Sequence, residues 1–208
     1  MISVLLPSRG RPELLKQSIA SLGDGNFEVL VWLDDDDIDY PFIHKVTYFR
    51  KKRIGYLRFH EMINFLSKKA SGDWLMLWND DATMLTPWVD AILFEDHTEP
   101  VVLNFFDPTI SINNLFPIIS RPMYEAMGHY SLSAHCDSWV QDIANRIGIH
   151  KQVWGIRAYH KRDQINDQTK LESQTAYRET SPKHSSPELV GLLEEDIKKI
   201  REKQGGIL

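Results

Sequence analysis

Short apolar runs, each stopped by polar or turn-forming residues, recur along the first half of the chain. The first covers residues 2–6 and is closed by Pro7, a pattern that suits a buried parallel strand. A loop from Ser8 through Arg9, Gly10 and Arg11 follows. Pro12-Glu13 then opens a helix with Leu14, Leu15, Ile19 and Leu22 on one side and Gly23 as its stop. A second apolar run, 27–33, ends abruptly in aspartates; 46–49 predicts a third short strand, with basic residues at 50–53. Over 58–70, Phe59, Met62, Ile63 and Leu66 repeat at helical spacing. Gly72-Asp73 reads as a turn, and 74–78 as a strand that runs into Asn79-Asp80-Asp81. Pro87 starts a helix through Phe94, and 101–105 reads as a further strand.

Strand, helix and strand alternate at βαβ spacing, which predicts an α/β fold with a mostly parallel sheet flanked by helices. In such sheets ligands bind at the carboxyl ends of the strands. Three expected strands end in polar groups of that kind: Ser8, Arg9 and Arg11; the aspartates at 34–37; and Asn79, Asp80 and Asp81.

The second half is less regular. Residues 104–120, rich in Asn, Pro and aromatics, read as irregular or β-like. A short helix over 122–127 is capped by Gly128. A longer helix over 137–147 ends at Gly148 and turns Trp139, Val140, Ile143 and Ile147 inward. Residues 152–159 suit a last strand, and the polar stretch 161–187 reads as a loop or extended tail. Ser186-Pro187-Glu188 starts a final helix, about 187–203. Its stripe of Leu189, Leu192, Leu193, Ile197 and Ile200 must pack on the body or on another subunit. The expected division is therefore a domain at 1–163 and a C-terminal extension at 164–208.

Composition narrows the classes. With 208 residues, 42% hydrophobic and 25% charged, the chain can bury one sizeable core and is neither disordered throughout nor fibrous. A single cysteine, Cys136, excludes a disulfide framework or a Cys-rich zinc module. No positive region precedes the five-residue run at the start, and no window approaches the roughly 18 apolar residues of a membrane span. The expected location is the cytoplasm, with no integral membrane segment. Net charge is −5, and five of the six residues at 34–39 are aspartate. Without those five and the pair Asp80 and Asp81, the rest of the chain is slightly basic. The acid excess is thus concentrated at two strand ends.

Two carboxylates held close repel each other unless a cation neutralises them. At a strand end Asp80 and Asp81 could hold a hard cation through their oxygens, and such an ion could bridge to a diphosphate. The plain alternative is a solvated turn with capping aspartates ahead of Pro87. The run at 34–39 is either a solvated acidic loop or a ligand or metal contact. His160, after the last strand, is a satisfied imidazole or a ligand. Asp137 is an N-cap or a reactive carboxylate. Arg9, Arg11, Lys52 and Arg53 suit phosphate oxygens or are simply solvated.

Taken in order, these segments resemble the GT-A-fold glycosyltransferases, in particular the inverting family-2 type. Residues 2–11, ending in Pro7-Ser8-Arg9-Gly10-Arg11, are similar to that family's first strand and nucleotide loop. Residues 29–35 are similar to its second strand, whose terminal aspartate meets the nucleobase. Asn64, with Ala70-Ser71-Gly72-Asp73, resembles the helix and turn before the metal strand. Asn79-Asp80-Asp81, with Pro87 beyond, resembles the Asp-x-Asp metal motif. Residues 116–121 and 128–130 resemble the acceptor side. Cys136-Asp137, with Arg146 and Gly148, resembles the segment that carries the catalytic base, and His160 the late metal histidine. The resemblance covers about residues 1–163. Asn79 and Cys136 stand where the family has acids, and the short chain leaves a minimal acceptor region.

The resemblance implies transfer of a sugar from a nucleoside-diphosphate sugar, a UDP-sugar first, to an acceptor hydroxyl with inversion. It implies that Asp81 and His160 hold Mn²⁺ or Mg²⁺ and that Asp137 is the base. Pro7, Ser8, Arg9, Arg11, Asp34, Asp35, Arg53, Asn79 and Asp80 would line the donor site. The acceptor, whether glycan, lipid, protein or modified nucleobase, stays open. So do a nucleotidyltransferase, a non-catalytic nucleotide-sugar-binding protein and a homo-oligomer formed through the C-terminal helix. A lone Gly10 between two arginines lacks the Gly-rich loop and lysine usual in nucleotidyltransferases.

Overall fold

A computed structural model describes residues 1–106, 116–161 and 164–205. In chain order the elements are β1 (Ile2–Ser8), α1 (Pro12–Ser21), β2 (Phe27–Asp34), β3 (Val46–Lys51) and, after a single 3₁₀ turn at Tyr56–Arg58, α2 (Phe59–Lys69). β4 (Trp74–Leu77), β5 (Ala82–Met84), α3 (Val89–Leu93), β6 (Val102–Phe106) and β7 (Ile118–Ser120) follow. The chain ends with α4 (Arg121–Met127), α5 (Cys136–Ile147), β8 (His150–His160), α6 (Gln168–His184) and α7 (Pro187–Lys203).

The strands form one sheet in the order β3-β2-β1-β4-β7-β6-β8-β5. β3, β2, β1 and β4 run parallel, as do β6 and β8; β7 and β5 are antiparallel to their neighbours. The mostly parallel α/β sheet expected from the sequence is therefore present, with two short antiparallel insertions. Side chains alternate across it with period two. Ile2, Val4, Leu6, Val29, Val31, Trp74 and Met76 face one core, with Leu15 and Ile19 of α1 and Val89 and Ile92 of α3. Leu5, Leu30, Leu75 and Leu77 face the other, under α2, α4, α5 and α7. Both faces of the central strands are thus dry, which is why these strands read as continuous apolar runs.

One expectation changes. Within the stretch expected as a loop or tail, residues 168–184 are helical: Asp167 caps α6 by accepting the Lys170 N–H at 2.8 Å, and the helix runs seventeen residues. β5 has no apolar run of its own and exists because it pairs with β8. The α7 stripe is filled from within: Leu193, Ile197 and Ile200 are buried against α4 and α5 of the same chain, and the buried Asp196 accepts from Trp139 Nε1. Of the two expected partners for this stripe, the body and another subunit, the body takes it. Of the irregular segment 104–120, residues 107–115 lie outside the described residues, as does the expected boundary at 163. Among the described residues, no helix is long and apolar enough to cross a membrane.

Candidate active site

The carboxyl ends of β1, β2, β4 and β8 meet at one edge of the sheet, and most of the predicted site residues stand there. β1 delivers Ser8, and the tight loop after it delivers Arg9 and Arg11 before Pro12 starts α1. β4 runs through Trp78 into Asn79, Asp80 and Asp81. The antiparallel register of β5 on β8, Ala82 opposite His160, brings the imidazole beside Asp81. His160 Nε2 lies 2.8 Å from Asp81 Oδ1 and 3.3 Å from Asn79 Nδ2.

Asp80 and Asp81 are both buried and are balanced by one guanidinium. Arg11 donates to Asp80 at 3.1 Å, reaches Asp81 at 3.6 Å, and forks onto both oxygens of Asp167 at 2.7 Å each. Ser8 Oγ donates to the other Asp80 oxygen at 2.7 Å. Burial pushes the Asp80 carboxyl up to about 6; Arg11 opposes the rise and Asp81 adds to it. Burial also acts to raise Asp81, but His160 and Arg11 outweigh it and hold that carboxyl below its ordinary value. Two neighbouring carboxylates are thus driven apart, Asp80 upward and Asp81 downward.

Beside this pair opens a cleft of about 280 Å³, lined among others by Pro7, Trp32, Asp34, Arg53, Tyr56 and Glu172. Its floor is the buried Asp34, which accepts from Trp32 Nε1 at 3.1 Å and Arg9 at 3.0 Å. The rest of the acidic run turns to local partners: Asp36 takes Arg9, Asp37 takes the Gly10 N–H and the Tyr40 hydroxyl, and Asp39 takes Arg50. Asp35 is exposed and joins no side chain of the cleft. It was predicted as a donor contact together with Asp34; the structure brings only Asp34 to the cleft wall. Arg53 lines the cleft and donates to Glu172 at 2.7 Å.

Asp137 lies in the first turn of α5, half-buried. Burial raises its carboxyl above the ordinary value, against backbone N–H groups of that turn and the charges of His184 and His160. Among the described residues it takes no side-chain hydrogen bond. The neighbouring Cys136 is buried and its thiol is pushed up by that burial, so it is no nucleophile.

Sequence reasoning missed Tyr56, Asp167 and Glu172. The Tyr56 phenol is raised well above its ordinary value by burial and by Asp80, Asp81 and Asp34 around it, which places it among the acids. The capping Asp167, followed by Gln168, Lys170, Leu171, Glu172 and Ala176, was a legible signal, since these are good helix formers behind an N-cap.

Together the topology and this edge define a GT-A-type glycosyltransferase fold. The chain is similar to the mannosyltransferase PcManGT from Pyrobaculum calidifontis in complex with GDP-Man and Mn²⁺, with a TM-score of 0.58, 10% identity, and 98% of this chain and 74% of that one covered. It is also similar to S. aureus TarS 1-349, with a TM-score of 0.54, 14% identity, and coverage of 97% and 81%. Against the same TarS fragment with UDP-GlcNAc the TM-score is 0.56 at 12% identity, with coverage of 97% and 72%. No protein-family model and no curated protein matches the sequence.

A divalent ion, which this fold implies, fits the residues present. Two cis ligands of a six-coordinate ion with bonds of about 2.1 Å stand about 3 Å apart. The Asp81 and His160 donor atoms are 2.8 Å apart. Among the described residues no group of three His, Cys, Asp or Glu side chains forms a metal cage.

Proposed function

We propose that the chain transfers a sugar from a nucleoside-diphosphate sugar to an acceptor hydroxyl with inversion. The observation that carries this is the Asp81–His160 pair, set next to Arg11 and Asp80 and a cleft lined by Asp34, Arg53 and Tyr56, at the carboxyl edge of a GT-A fold. Asp34, oriented by Trp32 and Arg9, accepts from N–H groups of the base or hydroxyls of the ribose, and the Tyr56 ring walls the cleft. Arg9, Arg11 and Arg53 are the cations available to phosphate oxygens. Asp80 lies on the sugar side of that group and Asn79 steadies His160. Asp81 and His160 would hold Mn²⁺ or Mg²⁺, which neutralises charge on the departing diphosphate.

Asp137 removes the proton from the acceptor hydroxyl, whose oxygen bonds to the anomeric carbon as the bond to the diphosphate breaks. Its raised pKa makes it a better base than an exposed aspartate. The donors in the neighbouring structures, GDP-Man and UDP-GlcNAc, make both nucleotides the first to test, with UDP-sugars favoured.

Replacement Asp137→Asn should abolish transfer or donor hydrolysis, by about 10²-fold or more, while calorimetry shows unchanged UDP or GDP binding. Turnover near the wild-type rate removes Asp137 from the mechanism. Asp81→Ala should weaken Mn²⁺ binding in the presence of the nucleotide; unaltered affinity takes the ion away from that pair.

A further inference from the structure

The acids at the start of α6 sit on the same arginines that a diphosphate needs. Asp167 takes two N–H groups of Arg11 and Glu172 takes one of Arg53, all at 2.7 Å, and Thr169 Oγ1 donates to the Arg9 carbonyl at 2.8 Å. Glu172 also forms part of the cleft wall, beside Arg53 and Tyr56.

The hold of α6 on the body is polar. Among its described side chains only Thr169 and Ala176 are buried, while Leu171 and Tyr177 are exposed. A helix of this length without an apolar face is marginal alone, and partly exposed ion pairs add little each. Its far end is better tied: Thr180 meets His135 at 2.9 Å, and His184 meets Ser133 at 2.9 Å and Asp142 at 3.2 Å. Beyond that end the chain continues into α7, which is packed in the second core.

We propose that α6 is a self-competing cover of the donor site, in which the Asp167 and Glu172 carboxylates occupy the guanidiniums of Arg11 and Arg53 until a nucleoside diphosphate displaces them. Carboxylate and phosphate oxygens compete for the same guanidinium N–H groups: Asp167 fills the Nε–Nη2 fork of Arg11, and Glu172 takes one N–H of Arg53. Donor entry therefore frees the N-terminal half of α6, which swings about its anchored end near His184. α6 acts in this way only if the chain binds a nucleoside diphosphate, as proposed above.

The test uses the full chain with UDP or GDP and Mg²⁺. By calorimetry, the double variant Asp167→Asn with Glu172→Gln should bind about tenfold more tightly than wild type, a gain of about 1.4 kcal/mol. In the wild-type protein, the nucleotide should speed amide exchange over residues 168–177. Equal or weaker binding by a folded variant overturns the cover, and so does slowed exchange in wild type, which would mark a lid that closes on its ligand. Should the variant fail to fold, the wild-type exchange measurement decides alone. Failure of both nucleotides to bind wild type sinks the donor-site assignment together with the cover; measurable binding with unchanged exchange sinks the cover alone.

Discussion

A β-carbon at position 72 would lie 2.8 Å from the Met1 carbonyl oxygen and 2.8 Å from Ser3 N and Oγ. Gly72 therefore serves close approach: its N–H donates to Ser3 Oγ at 2.8 Å and lets the turn dock on β1, which aligns β4 and the acids beyond it. Gly72→Ala should destabilise the chain by about 1–3 kcal/mol, read as a lowered Tm, because the neighbours are backbone and cannot give way; an unchanged Tm would show that the turn relaxes freely. Asp80 carries a pH signature. Its carboxyl is pushed from 3.8 to about 6, so between those values the folded chain keeps a proton that the unfolded chain has released. Stability tied to this group is full below the unfolded value and is lost as pH rises through about 6. The stability of wild type relative to Asp80→Asn should therefore fall from pH 4 to 7, by about 3 kcal/mol at most. A flat difference would mean that Asp80 is ionised throughout. The identities of such residues were visible in the sequence, but their partners were not. The run at 34–39 invited a ligand, yet Arg9, Tyr40 and Arg50 satisfy most of it, and Arg9 lies 25 residues from Asp34.

α6 shows what a periodic pattern can and cannot reveal. α1, α2, α5 and α7 each bury an apolar stripe and were legible from it. α6 is polar all round, so its only local marks are a cap and good helix formers. β5 is three residues long and is defined by its partner rather than by itself. That partnership is also why the contact between Asp81 and His160, 79 residues apart, could not be read along the chain. The anchored end of α6 should respond to acid. Burial holds His135 below its ordinary value, and His184, with rings 5.4 Å apart, adds to this; Tyr177 packs on its other side at 4.7 Å. A histidine freed by detachment regains its ordinary affinity for a proton. The anchoring is thus full above about pH 6.5 and is lost as pH falls through the depressed value. Amide exchange over residues 176–184, corrected for intrinsic rate, should quicken from pH 7.5 to 5.5, and His135→Gln should flatten that response. Equal protection at both pH values would show that His135 does not report on the docking of α6.

At the scale of the whole molecule, the two cores lie on opposite faces of one sheet, and the second is completed only by the last helix. Leu193, Ile197 and Ile200 fill it together with Leu5, Leu75, Trp139 and Ile143, residues from strands and helices far apart along the chain. The α/β class and the carboxyl-edge site followed from the order of apolar runs, because parallel strands buried on both faces must read that way. The expected partition at residue 163 rests on a rise in polarity, which marks solvent contact. The ion pairs that join α6 to Arg11 and Arg53 cross the same line. We therefore expect a chain ending at residue 166 to expose Trp139, Val140 and their neighbours and to lose the single cooperative transition of the full chain. The milder probe Leu193→Ala should cost about 2–5 kcal/mol. If the shortened chain instead melts cooperatively near the full-length Tm, α6 and α7 are an independent appendage, and the division at 163 is a true domain boundary.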